Sequence, residues 1–170
     1  GPEGRGEYAV ALRIVGLLIA FGQFGLPEAM LYQMRDDPHR GSALAANSLM
    51  IVLVATGVSA VVLWITVPIF SDSFYKGTES RLLWTAFLFL PTNLLFIFFA
   101  RLIQLSGRLR VFNLLTLTSR CSMTIAIFVL LTIWPGEASS AIVGLLASSM
   151  LVTVCAVILL NKLVVEGMWG

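Results

Sequence analysis

The sequence predicts an all-α integral membrane protein with five antiparallel transmembrane helices, and two observations support this. Of the 170 residues, 58% are hydrophobic and 12% are charged, and the mean hydropathy is +0.94. A soluble domain of this size needs more polar surface than this composition supplies. The apolar residues also form long runs, and about 20 helical residues are needed to cross ~30 Å of hydrocarbon. Runs of this length, rich in Leu and Ala, disfavour strands.

Five windows of spanning length follow one another in what we expect to be a single transmembrane domain, residues 1–170. They cover residues 8–34, 43–70, 82–105, 111–134 and 141–160. A turn rich in Asp, Pro and Gly is predicted at residues 35–41, and loops are predicted at residues 71–81 and 135–137. Because these connections are short, neighbouring helices are expected to run antiparallel.

The first window carries polar and small residues on one helix face. That face consists of Arg13, Gly16, Ala20, Gln23 and Pro27. Pro27 removes a helix hydrogen bond, and with Gly22 and Gly25 nearby it predicts a bend. Glu28 follows directly and is either a proton or cation carrier or the partner of a basic residue near the cytoplasmic end. Arg13 lies close enough to the outer end of the span to snorkel.

The second and third windows carry amide side chains among apolar neighbours. Asn47 lies in the second window, and Asn93 and Gln104 lie in the third. Amides at membrane depth form hydrogen bonds between helices or contact a polar substrate, and both interpretations stay open for these three. The third window ends near Arg101, and a basic turn at residues 106–110 precedes the fourth. This pattern indicates a helical hairpin whose turn lies in water.

Arg120 stands near the middle of the fourth window, where a lone arginine costs roughly 2.5–3.5 kcal/mol on insertion scales. At helical spacing it joins a polar stripe formed by Asn113, Thr116, Arg120 and Thr124. Such a stripe is expected to face protein or water rather than lipid. Arg120 is then either a structural group, paired with a buried acid or with carbonyl groups, or part of a water-filled path that attracts anions. In the fifth window, Ala141, Gly144 and Ser148 predict a close helix contact.

Other kinds of site are not indicated by the sequence. It shows no nucleophile with its base, no paired carboxylates and no metal-ligand cluster, so we expect no enzyme, no cofactor and no metal. A net charge of +2 and the lack of a basic face with interleaved aromatic residues argue against a nucleic-acid partner. Cys121 and Cys155 lie inside apolar runs and are expected to be buried packing thiols.

Lysine and arginine residues near the ends of the spans predict the orientation in the membrane. One side carries Arg5, Lys76 and Arg81. The other side carries Arg35, Arg40, Arg101, Arg108, Arg110 and Lys162. Cytoplasmic loops are enriched in these residues, so the second side is expected to be cytoplasmic. The chain would then start outside and end in the cytoplasm.

Two groups of residues resemble one family of membrane proteins. The first is the opening GPEGRGEYAVAL with Gly25-Leu26-Pro27-Glu28-Ala29 and Tyr32, and the second is Pro91, Gln104, Gly107-Arg108 and Phe112-Asn113. In this order they are similar to the first outer loop and second helix, and to the fourth helix, cytoplasmic turn and fifth helix, of the polysaccharide flippases. These belong to the multidrug/oligosaccharidyl-lipid/polysaccharide exporter superfamily. The resemblance covers essentially the whole chain, as helices two to six.

The resemblance implies part of the N-terminal bundle of an exporter with roughly 12 or more helices. The chain would lack the first helix and the C-terminal bundle. The implied function is alternating-access transfer of a polyprenyl-pyrophosphate-linked oligosaccharide from the cytoplasmic to the outer leaflet of the cell inner membrane, often driven by a cation gradient. The implied partners are this anionic lipid-linked saccharide, the lipid bilayer and the remaining helices of the parent chain.

The same resemblance implies roles for individual residues. A pyrophosphate needs a cationic lining, and Arg13 and Arg120 would supply it. Sugar hydroxyls need hydrogen-bonding partners, for which amides are suited. The substrate pathway would therefore include Arg13, Gln23, Asn93, Asn113 and Arg120. Glu28 is the candidate for ion coupling.

Other functions stay open on the sequence. A cation-coupled multidrug or small-molecule antiporter of the same fold would need acidic residues facing the cavity, for which Glu28 qualifies. A non-transporting membrane subunit of a polysaccharide synthesis complex is a further alternative, and a second block of about six spans in the parent would favour transport over it. A membrane glycosyltransferase is disfavoured, because the sequence offers no acidic metal site and no sizeable catalytic loop.

Overall fold

A computed structural model describes residues 2–23, 25–36, 41–70, 80–133 and 138–165 of the chain. These residues form helices and no strand: α1 (Pro2–Gln23), α2 (Leu26–Asp36), α3 (Gly41–Phe70), α4 (Ser80–Phe87), α5 (Phe89–Leu105), α6 (Leu109–Ile133) and α7 (Ala138–Val165). Within them, five segments are long and apolar enough to cross a membrane: Ala9–Met30, Ala43–Ile69, Arg81–Leu105, Leu109–Ile133 and Ser140–Lys162. The predicted all-α membrane fold is confirmed. Residues 37–40 of the predicted turn, residues 71–79 of the first predicted loop and the whole of the second loop lie outside the described residues. The loop predicted to end at residue 81 ends earlier, because Ser80 and Arg81 belong to α4.

The first span is divided into two helices at a glycine. α1 ends at Gln23 and α2 begins at Leu26, and Gly25 between them has a φ of +67°. Glycine enters this left-handed region without steric cost, whereas other residues rarely do. Pro27 falls in the first turn of α2, where its missing N–H leaves no helix hydrogen bond unmade. The bend predicted from this cluster is confirmed.

The third span is also interrupted, at a single residue. Leu88 separates α4 from α5 and is followed three positions later by Pro91. A proline cannot donate a backbone hydrogen bond to the preceding turn, which favours a break at this point. The hydroxyl of Thr92 donates to the carbonyl of Phe89 at 3.0 Å and satisfies one carbonyl there. The span predicted as one helix is therefore α4 followed by α5.

The turn between α5 and α6 is short and well defined. The N–H of Ser106 donates to the carbonyl of Leu102 at 3.0 Å, and the N–H of Gly107 donates to the carbonyl of Gln104 at 3.1 Å. Gly107 has a φ of +81°, as is common for the glycine that ends a helix. The helical hairpin predicted around residues 106–110 is present.

Helix α5 lies at the centre of the bundle and packs against each of the other helices. Five of its side chains, those of Leu90, Leu94, Phe98, Leu102 and Ile103, are completely buried. α1 packs against α3, α4, α5 and α7, whereas the main contacts of α6 are with α7 and α5. α6 is therefore covered by protein on one side.

Small residues and hydroxyl groups join α7 to its neighbours. Gly144, which is buried, leaves so little space that an added Cβ would lie 3.1 Å from the carbonyl oxygen of Ala126 in α6. The hydroxyls of Ser122 and Ser148 are 2.8 Å apart at the same interface. The predicted close helix contact of α7 is therefore confirmed, and its partner is α6.

The α5–α7 interface contains a hydrogen-bonded group of hydroxyls. Ser149 donates to the hydroxyl of Thr92 at 2.9 Å, and the hydroxyl of Thr153 lies 3.0 Å from the carbonyl of Thr92 and 2.8 Å from that of Ser149. Such hydrogen bonds replace the hydrophobic effect as a source of helix association in lipid.

The two cysteines correct one prediction. Cys121 and Cys155 carry free thiols, but both side chains are exposed rather than buried. They lie on faces of α6 and α7 that the described helices do not cover, so the apolar run around each cysteine does not show which face is packed.

Candidate functional site

Arg120 lies on an uncovered face of α6. The packed side of this helix is marked by Leu115 and Ser119, which are buried, while Arg120 and Asn113 are exposed. The structure gives the Arg120 side chain no hydrogen bond and no ion pair with any described residue. The alternative of an arginine held by a buried acid or by carbonyl groups therefore finds no support in the described part of the chain.

The two threonines of the stripe are satisfied within α6. The hydroxyl of Thr116 donates to the carbonyl of Phe112 at 2.9 Å, and that of Thr124 donates to the carbonyl of Arg120 at 3.0 Å. Threonine hydroxyls in membrane helices commonly bond to the carbonyl four residues earlier. The arginine and the asparagine are thus the members of the stripe that keep free hydrogen-bonding capacity among the described residues.

Arg13 lies on the face of α1 that points away from the bundle. Ala11 and Val15 are buried on the opposite side, whereas Arg13, Gly16 and Ala20 are exposed. An added Cβ at Gly16 would meet nothing within 4 Å, so this face is open. Three members of the polar and small face predicted for the first window, Arg13, Gly16 and Ala20, are therefore not packed against other described helices.

The two amides of the predicted pathway that lie nearer the bundle are half-buried. Gln23 ends α1 beside the bend, and Asn93 lies in the second turn of α5. Neither has a hydrogen-bonding partner among the described residues. Their polar groups are available to a polar ligand, to water or to a further helix. Both a contact with substrate and a hydrogen bond between helices therefore stay open for these residues.

Glu28, which follows the bend, has a defined partner in α5. Its Oε1 lies 3.5 Å from Nη2 of Arg101 in α5, and Nη1 of Arg101 donates to Oε1 of Gln104 at 2.6 Å. The side chain of Glu28 is 62% exposed and that of Arg101 is 35% exposed. Of the two roles that the sequence left open for Glu28, the structure shows the pairing with a basic residue. We call Glu28, Arg101 and Gln104 the α2–α5 cluster.

A groove among the described residues lies apart from the predicted pathway residues. It has a volume of about 380 Å³ and lies between the end of α1 and the middle of α3, lined by Phe21, Gly22, Leu26, Met50, Ile51, Val54, Ala55, Val58 and Ser59. It is almost wholly apolar, and no predicted pathway residue lines it. α1 and α6, which carry Arg13 and Arg120, have no substantial contact with each other in the described part of the chain. That part also holds no group of three or more potential metal ligands.

The model of one protein family, described as polysaccharide biosynthesis protein, matches residues 1–166. The chain belongs to the polysaccharide biosynthesis protein family. This confirms the family resemblance seen in the sequence. A search of curated proteins and a search of solved structures found no match to the chain. With five helices of spanning length, this member of the family is a multi-pass membrane protein related to polysaccharide transport.

In this polysaccharide biosynthesis protein, the sequence predicted a basic partner as one of two roles for Glu28 but did not identify it as Arg101. The pair of Arg101 with Gln104 has a sequence signal, because residues three apart face the same side of a helix. Its ion pair with Glu28 has none, since the two residues belong to different spans. The hydrogen bond between the hydroxyls of Ser149 and Thr92 was not predicted for the same reason, since these residues also belong to different spans.

Proposed function

We propose that the chain is part of a flippase that moves a polyprenyl-pyrophosphate-linked oligosaccharide from the cytoplasmic to the outer leaflet by alternating access. The family match and the five spans support a membrane transporter related to polysaccharide. The observation that carries the finer proposal is Arg120, an exposed arginine near the middle of a span with no described partner. A cation kept at this depth at a cost of a few kcal/mol implies an anionic group or water beside it.

The chemistry of such a substrate matches the side chains of the predicted pathway, which have no hydrogen-bonding partner among the described residues. A guanidinium group binds phosphate oxygens through two parallel N–H donors, so Arg120 and Arg13 suit a pyrophosphate. Amides both donate and accept, so Gln23, Asn93 and Asn113 suit sugar hydroxyls. Because the two arginines lie on separate helices, we assign them to successive positions of the substrate along its path.

The proposal includes an orientation and an ion. The end with Arg101, Arg108, Arg110 and Lys162 is placed in the cytoplasm and residue 1 outside, with the protein in the cell inner membrane. Glu28 is assigned to ion coupling. Its carboxylate is exposed on one side, so a proton or cation that binds it competes with Arg101 for the same oxygen atoms.

The test compares variants of Arg120 in the full-length protein. We expect Arg120→Gln to lower surface polysaccharide by about 10- to 150-fold, since a hydrogen bond to a charged group contributes about 1.5–3 kcal/mol. Arg120→Lys keeps the charge and should retain more activity. Arg110→Gln is the control, because it removes the same exposed group at the start of the same helix. Unchanged surface polysaccharide at normal protein abundance in Arg120→Gln would contradict the proposal.

A further inference from the structure

The α2–α5 cluster joins a short helix to the central helix of the bundle. α2 is the 11-residue helix Leu26–Asp36, and its main packing partner is α5. Glu28 lies in its first turn, while Arg101 and Gln104 lie near the end of α5. The connection runs from the carboxylate through the guanidinium to the amide, with distances of 3.5 Å and 2.6 Å. Gln104 therefore holds Arg101 in position for Glu28.

The backbone before α2 has the features of a hinge. Gly25 adopts a φ of +67°, and an added Cβ there would meet nothing within 4 Å, so neighbouring side chains do not pack against this residue. Glycine also has access to more of φ/ψ space than any other residue. The first turn of α2 depends on this glycine, since the N–H of Ala29 donates to the carbonyl of Gly25 at 3.0 Å. Hinges are commonly a few residues at the end of an element that absorb a large change in backbone angles.

The other described polar contact of α2 is weak. The hydroxyl of Ser48 in α3 lies 3.8 Å from the sulfur of Met30, and thioether sulfur is a poor acceptor. The Ser48 hydroxyl is already satisfied by the carbonyl of Leu44 at 2.7 Å, so it does not depend on α2. The ion pair is thus the strongest described polar connection between α2 and the rest of the bundle.

The exposure of the pair determines what kind of device it can be. Partly exposed ion pairs change an equilibrium by about fivefold at most. A connection of this size biases α2 towards the docked position without fixing it there.

We propose that Glu28, Arg101 and Gln104 form a latch that docks α2 onto α5, and that α2 pivots about Gly25 when the latch opens. Arg101 is the positioning residue, because it acts on α2 through Glu28. The docking of α2 by the latch is independent of the proposed function. Only the assignment of latch opening to the transport cycle rests on that function.

The docking step is tested by spin-label distances in the full-length protein in nanodiscs. Labels replace Gln33 in α2 and Leu114 in α6, both exposed, after Cys121 and Cys155 are changed to serine. We expect Glu28→Gln and Arg101→Gln each to raise the ratio of undocked to docked α2 by up to about fivefold. Gln104→Met should raise it less.

A charge swap and a control make this measurement specific. Glu28→Arg combined with Arg101→Glu should return the ratio towards the native value, which general loss of stability would not do. Arg110→Gln removes a charge at the same end of the bundle without touching the cluster, and it should leave the ratio unchanged. Equal ratios in native protein and both single variants, or no recovery in the swap, would overturn the latch.

The transport step is tested by locking the latch. Tyr32→Cys with Leu105→Cys places each new cysteine one helical turn beyond a latch residue and leaves Glu28 and Arg101 in place. With Cys121 and Cys155 changed to serine, bridging the two new cysteines with a reducible cross-linker should abolish display of surface polysaccharide until the bridge is reduced. Full display in the bridged protein would overturn the assignment of opening to the cycle. The two proposals fail separately. If Arg120→Gln is without effect while the distances respond, the flippase proposal fails; if Arg120→Gln abolishes display while the distances do not respond, the latch fails.

Discussion

Replacing Gly144 with alanine tests how closely α6 and α7 are packed. An ideal Cβ at this position would lie 3.1 Å from the carbonyl oxygen of Ala126, 3.2 Å from its carbonyl carbon and 3.1 Å from Cδ1 of Leu130. The leucine methyl can move by a rotamer change. The carbonyl belongs to the backbone of α6, so relief of that contact requires the two helices to separate by a few tenths of an ångström.

Two opposing effects set the magnitude. Alanine is favoured over glycine inside a helix by roughly 0.5–1 kcal/mol. Insertion of a methyl group into a well-packed interface costs about 1–3 kcal/mol. Gly57 in α3 supplies the matched control, because it is exposed and an added Cβ there would meet nothing within 4 Å. The difference between the two variants removes the helix preference and leaves the packing cost of about 1–3 kcal/mol.

The assay is reversible unfolding of the full-length protein in mixed micelles with increasing SDS. We expect Gly57→Ala to match or slightly exceed the native midpoint and Gly144→Ala to unfold at a lower SDS fraction. Hydrogen bonding between Ser122 and Ser148 at the same interface should weaken in parallel. Equal midpoints for the two variants would refute the close approach of α6 and α7.

The same assay checks two further predictions. Thr56→Val should stabilise the protein by about 1–3 kcal/mol, because the Thr56 hydroxyl is buried and has no hydrogen-bonding partner among the described residues. Thr153→Val is the matched change of opposite sign. Its expected cost is about 0.6–1.7 kcal/mol, because the Thr153 hydroxyl lies within hydrogen-bonding distance of two carbonyls and that donor is lost. Destabilisation by both variants would contradict the Thr56 argument. Gly25→Ala should destabilise by roughly 1–2 kcal/mol, since alanine is strained at positive φ, whereas Gly16→Ala in open space should not.

The fold could be predicted from the sequence because each span is a local property. Twenty or more apolar residues are needed to cross hydrocarbon, whatever they pack against. The bend at Gly25 was also predictable, since a glycine and a proline act on their own backbone. The identity of α6 as the partner of Gly144 was not, because small residues favour close approach without specifying which helix approaches.

The candidate site was only partly predictable for a related reason. The stripe of Asn113 and Arg120 follows from helical spacing, but the spacing does not show whether protein or water covers it. The pairing of Glu28 with Arg101 depends on the position of α2 relative to α5, which is set by tertiary packing and by the angle at Gly25. For that reason the sequence alone does not show which basic residue pairs with Glu28.

The distribution of polar groups in the bundle distinguishes structural from functional use. In lipid, helices associate through close packing and interhelical hydrogen bonds, because apolar surface gains little by leaving hydrocarbon. The interfaces of α7 use such groups. Ser148 is buried and hydrogen-bonded to α6, and Ser149 and Thr153 are buried and hydrogen-bonded to α5. Arg120 and Asn113 contribute nothing of this kind to the described bundle, although an arginine at this depth is far more costly than a serine. A group that is costly to insert and does not stabilise helix contacts needs another partner, and an anion passing along the uncovered face of α6 would supply it.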